Sequence, residues 1–212
     1  MKKIKILSVF LGLIFANVSA QENFDHLIPA SNKSVAANWF YNQFSNVRKD
    51  FLEKDTPNPI IGFVAVPIFG PSPTALFVID DKKIHEYVII HRYRTTEYPY
   101  KRKNDKILER RKILEIDSFR ALNLLYGVVV FQSRMNKKDI AGKDGRINYF
   151  ISNNEIGEIW SPEESDLKNM KELVKISYKV AESLNTDLEV VTFDKNLMDD
   201  ILSLFTKISD EK

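Results

Sequence analysis

The stretch T-A-L-F-V-I-D-D-K-K-I-H-E-Y-V-I-I-H-R-Y-R, residues 74–94, decides the fold class. Two runs rich in β-branched and aromatic residues, 74–79 and 84–94, flank the charged tetrapeptide Asp80-Asp81-Lys82-Lys83. A polar interval between two such runs predicts an antiparallel hairpin. Before it, residues 60–69 have strand composition, but Pro67 cannot donate to a ladder, which predicts an edge or bulged strand. Gly70-Pro71-Ser72-Pro73 predicts the turn between them. After it, 95–106 is polar and 106–116 reads as a fourth strand.

Helical patterns enclose this block. Trp39, Phe40, Phe44, Val47 and Phe51 recur at three- and four-residue spacing and predict a helix over 34–53, stopped by Thr56-Pro57-Asn58-Pro59. Residues 21–33 read as a loose polar lead-in. Asp117 or Ser118 is suited to cap a helix running to Arg134, with Phe119, Leu122, Leu125, Tyr126 and Val129 on one face. Asp144-Gly145 marks a turn, and 147–151 and 155–160 then pair across Ser152-Asn153-Asn154. Ser161-Pro162-Glu163-Glu164 has the order of a capping box and predicts a helix to Leu184. A short strand over 188–193 and a last helix capped by Asp194 complete the chain. Strands adjacent in sequence favour antiparallel pairing, so the expectation is α+β: a mainly antiparallel sheet with helices packed on one side.

The N-terminus reads as a signal peptide over 1–20. Lys2, Lys3 and Lys5 precede an apolar stretch, and Val18-Ser19-Ala20 supplies the small residues for cleavage near Ala20. The apolar stretch is too short for a permanent anchor. Residues 21–212 are then a single exported domain, periplasmic or secreted. Removing the three lysines leaves 28 basic residues against 29 acidic ones, so no global charge argues for nucleic acid. Zero cysteines exclude disulfides, a thiolate nucleophile and lipid attachment through cysteine.

No catalytic, cofactor-binding or metal-binding residues are assigned. On a strand, His85 and His91 share a face but lie about 20 Å apart, too far to hold one ion. His26 falls in the lead-in. Asp80/Asp81, Glu163/Glu164 and Asp199/Asp200 are sequence neighbours whose side chains diverge, which makes them poor acid–base pairs. Residues 139–145 lack the alternating oxygen ligands of a calcium loop, because Ala141 and Lys143 stand where acceptors are needed. The feature with functional character lies between Arg92 and Lys112, where nine basic residues face three acidic ones and Tyr93, Tyr98 and Tyr100 are interleaved. Arg92, Arg94, Lys101, Arg102, Lys103, Arg110 and Arg111 are the candidate anion-binding patch. A charged hairpin tip that deters edge pairing explains the same composition.

D-G-R-I-N-Y-F (residues 144–150), G-E-I-W-S-P (157–162) and the helix after them resemble an uncharacterised group of bacterial exported proteins. In that group an Asp-Gly hairpin leads into W-S-P and a helix, and the likeness extends over 118–184. The resemblance implies an exported α+β domain and brings no activity. The sequence-level expectation is therefore a non-enzymatic binding protein of the cell envelope, with an envelope protein or an anionic ligand as partner. A toxin-neutralising protein is one version. The alternative is an envelope hydrolase built from scattered carboxylates and His85 or His91.

Overall fold

The computed structural model describes residues 25–30, 51, 57–67, 73–95, 106–134, 145–162 and 166–211. The expected helix over 34–53 lies outside the described residues except for Phe51, as does the expected signal peptide. The described chain is an α+β fold. Strands β1 (Ile28–Pro29), β2 (Ile61–Pro67), β3 (Thr74–Asp81), β4 (Glu86–Thr95) and β5 (Lys106–Leu114) precede helix α1 (Ile116–Ser133). Strands β6 (Arg146–Ser152) and β7 (Glu155–Trp160), helix α2 (Lys168–Ser183), strand β8 (Val190–Val191) and helix α3 (Lys195–Asp210) follow. All eight strands form one sheet in the order β1-β7-β6-β2-β3-β4-β5-β8. Every pairing is antiparallel except β5 with β8.

Alternation along the strands sorts the core onto two faces. Ile61, Phe63, Leu76, Val78, Ile89 and Phe150 point toward α1, α2 and α3. Val64, Val66, Ala75, Phe77, Tyr149 and Ile151 form a second buried cluster on the opposite face, together with Phe51. The described helices thus lie on one side, while the central strands are buried on both. That double burial explains why β2 and β3 read as nearly unbroken apolar runs. Fully buried Tyr126 of α1 and Phe63 of β2 both pack on Phe150, at ring separations of 5.4 and 5.2 Å.

Several sequence expectations are corrected. Strand β2 is central rather than an edge: it pairs β3 and β6, and Pro67 is its last residue, opposite Arg146, where its missing N–H interrupts nothing further along. The lead-in is not loose where it is described. Leu27 is fully buried, and Ile28–Pro29 form an edge strand on β7. Helix α1 is capped by the Glu115 carboxylate, which accepts from the N–H groups of Asp117 and Ser118. Ser118 instead accepts from Phe193 N–H at 2.9 Å. Helix α2 begins at Lys168, not at Ser161. Ser161 has φ 34° and its hydroxyl accepts from the N–H of Arg146, so it closes the β6–β7 pair rather than capping a helix.

The two hairpins follow their turn chemistry. Asn153 and Asn154 both have positive φ, 49° and 67°, the pair of left-handed residues that a tight two-residue turn requires. At the β3–β4 turn, Asp81 accepts from the N–H groups of Lys83, Ile84 and His85. His85 is in that turn at φ 58°, exposed, and not on a strand facing His91. Asp194 caps α3, accepting from Leu197 N–H at 2.8 Å, as its sequence position predicts. Among the described residues no helix is long and apolar enough to cross a membrane.

Candidate binding site

The helix-facing side of the sheet carries a line of polar residues where the register places apolar ones elsewhere. Ala65 of β2 lies between Asn148 of β6 and Thr74 of β3, and Thr74 lies opposite Tyr93 of β4. Neighbouring strands are about 4.8 Å apart, so Asn148 and Thr74 stand roughly 10 Å from each other across a single small side chain. His91, one step along β4 on the same face, has its Nε2 2.8 Å from Thr74 Oγ1.

These groups are buried. Asn148 is 0% exposed, and Thr74 and His91 are 9% exposed. Neither amide atom of Asn148 has a hydrogen-bond partner among the described residues, nor does His91 Nδ1. Buried polar atoms are nearly always satisfied, so these three atoms stand out. Burial lowers the pKa of His91 from 6.5 to about 4, and the positive charge of Arg110 pushes it the same way. His91 is therefore neutral at neutral pH.

An arginine stacked on a tyrosine stands at either end of the line. Arg110, opposite His91 in the β4–β5 register, lies 5.1 Å over the Tyr93 ring. Arg146 lies 5.3 Å over the Tyr178 ring of α2 and donates from Nη1 to the Tyr178 hydroxyl at 2.7 Å. Tyr178 in turn meets Phe63 edge-on at 5.5 Å, which ties α2 to the sheet at this point. The arrangement offers neutral hydrogen-bonding groups between two fixed cations. Its chemistry suits recognition of a polar or anionic group.

The basic patch read from the sequence does not form one surface among its described members. Strand alternation sends Arg92, Arg94 and Arg111 to the face opposite the helices and Arg110 to the helix side. Arg92 is paired with Glu109 at 2.7 Å, and Arg111 with Asp81 at 2.7 Å. Lys101, Arg102 and Lys103 lie outside the described residues. Beside this hairpin, an open groove of about 610 Å³ runs between residues 109–112 and residues 184–187. It mixes Arg110, Arg111 and Lys112 with Glu109 and Asp187, so it is not a uniformly cationic surface. The described residues contain no group of three or more His, Asp or Glu placed to hold a metal.

Sequence reasoning missed Thr74, Asn148, Arg146 and Tyr178. The one signal available was Asn148 itself: with β6 as a strand, it shares a face with Phe150, a parity that belongs to the core. No family model matches the chain, and neither a curated protein nor a solved structure matches it.

Proposed function

We propose that this chain is a non-enzymatic binding protein of the cell envelope, with its recognition site at the polar line Thr74–His91–Asn148. The observation that carries the reading is the row of neutral groups with unpartnered atoms, Asn148 and His91, between the cations Arg110 and Arg146, and the state of His91 agrees with it. A general base works best with a pKa near the working pH, and one at about 4 is a weak proton acceptor there. No described carboxylate hydrogen-bonds to His91 to orient it, and its hydroxyl partner is a threonine held between strands. Fixed cations flanking unpartnered neutral groups favour holding a ligand over transforming one. The expected signal peptide and the resemblance to exported proteins support an envelope setting, where neutralising a toxin is one version of the role.

The test is to purify the mature domain with a tag from its own envelope and identify what accompanies it, alongside Asn148→Leu. Native protein should retain a stoichiometric partner or ligand. Asn148→Leu should lose it while remaining folded, because replacing an unpartnered buried amide by a similar apolar group is neutral or stabilising. Turnover of an ester or glycan by the native protein, abolished in His91→Gln, would replace this reading with the hydrolase.

A further inference from the structure

Helix α2 carries Lys168, Lys171, Lys175 and Lys179 at spacings of three, four and four residues. At about 100° per residue they fall within roughly 80° of arc and extend over about 16 Å of the helix. This stripe lies opposite the buried face of Met170, Leu173, Val174, Ser177 and Val180. Lys179 is paired with Asp200 of α3 at 2.5 Å, and the nearby Glu172 is engaged by Lys207 at 3.0 Å. Lys168, Lys171 and Lys175 are exposed and have no ion pair among the described residues. Together with Glu172, Ile176 and Asp200 the four lysines line a shallow groove of about 280 Å³ between α2 and α3.

The placement works against the helix that bears it. Lys168 and Lys171 occupy the first turn, at the end where the helix dipole favours anions and where the carboxylate that meets the N–H groups of Asn169 and Met170 is that of Asp25, from outside the helix. Like charges three and four residues apart also repel. Charges that weaken local structure without an internal partner are expected where a function retains them.

We infer that the α2 stripe is a docking surface for a linear, phosphate-bearing polymer laid along the helix. The inference rests on the binding reading above and names a partner class and a second surface for it. Lysine ammoniums bind phosphate as point charges without demanding a fixed geometry, which suits a flexible chain of phosphates laid along a row of them. Among the described residues, α2 offers no exposed large apolar side chain that would enter a bilayer. The stripe also lacks the arginine, tyrosine and tryptophan that anchor protein interfaces.

Fluorescence anisotropy of the full mature chain with labelled long-chain inorganic polyphosphate tests it. Three released counterions on a flexible chain give a slope of log K against log salt of about −2, or roughly fifteen-fold weaker binding at 200 mM than at 50 mM salt. The variant K168Q/K171Q/K175Q should lose binding with an unchanged or raised melting temperature, while K195Q on α3 should bind like the native chain. Equal binding by the triple variant, or tighter binding of poly-glutamate, of a carboxylated glycan or of anionic vesicles than of polyphosphate, overturns the inference. A triple variant that fails on polyphosphate yet keeps its envelope partner leaves both readings standing. One that binds polyphosphate undiminished and keeps that partner sinks the stripe alone.

Discussion

The carboxylate of Asp25 accepts the main-chain N–H of Asn169 at 2.5 Å, 144 positions along the chain, and that of Met170 at 3.1 Å. Leu167, at the start of α2, supplies no side-chain cap, so Asp25 satisfies donors the helix cannot satisfy itself. Losing such a cap costs about 1–2 kcal/mol. Asp25→Ala should lower the melting temperature by about 3–6 °C at this chain length. Ser161→Ala should leave α2 helicity unchanged and loosen the β6–β7 pair, read as faster hydrogen exchange at Arg146 N–H. A melting temperature unmoved by Asp25→Ala would show that the contact contributes nothing.

Gly157 lies under Leu27. A methyl group added at Gly157 would sit 2.8 Å from Leu27 Cδ1, 3.0 Å from its Cβ and 3.3 Å from Ser133 Cβ. Overpacking of this kind costs about 1–3 kcal/mol. Gly157→Ala should therefore destabilise the protein in denaturant titration. Combined with Leu27→Ala it should cost clearly less than the two single changes summed, because the clash disappears with the leucine. Strict additivity would mean that the two residues do not press on one another.

The buried hydroxyl chain of Tyr126 runs to Ser177 at 2.8 Å and on to the carbonyl of Leu173 at 2.9 Å. Burial raises the Tyr126 phenol well above its ordinary pKa, so it remains a donor at any pH the fold survives. Tyr126→Phe leaves Ser177 bonded to Leu173 and should cost about 1 kcal/mol. Ser177→Ala strands the phenol in a fully buried position and should cost more, up to about 3 kcal/mol. The double variant should be no less stable than Ser177→Ala alone, and chemical denaturation of the three variants reads the order directly.

His91 imposes a pH dependence of definite sign. Its pKa falls from 6.5 in the unfolded chain to about 4 in the fold, so between these values the unfolded state binds the extra proton. Its contribution is fully present above pH 6.5 and is lost as pH falls toward 4. His91→Gln should lose less stability across that window than the native chain. The His91 ring resonances should hold their neutral positions until pH approaches 4, and an NMR midpoint near 6.5 would contradict the burial argument.

Much of the fold was legible because its signals are local. The 74–94 hairpin, the Asn153-Asn154 turn and the Asp194 cap each depend on residues within a few positions of one another. At α1 the misreading is local too, since Glu115 is the cap rather than Asp117 or Ser118, whose hydroxyl accepts from Phe193. Other misreadings have the opposite character: the start of α2 is met by Asp25, far away in sequence, and not by Ser161. The polar line was hidden for the same reason. Thr74, His91 and Asn148 come from three strands, and only the β6-β2-β3-β4 order sets them side by side. The basic run was visible as composition, yet alternation divided its described members between two faces.

The docking of residues 25–30 also bears on the timing of folding. Asp25 waits for Asn169 and Met170, His26 lies 3.5 Å from Glu211, and Ile28 pairs with Glu158. Pairings this distant in sequence are slow to form, because the intervening chain must close before they contribute anything. A chain that emerges N-terminus first exposes this segment long before its partners exist. It has no β7 edge to cover until residues 157–158 are made, and no α2 end to cap until 169–170 are. The segment that closes both surfaces is made before either of them.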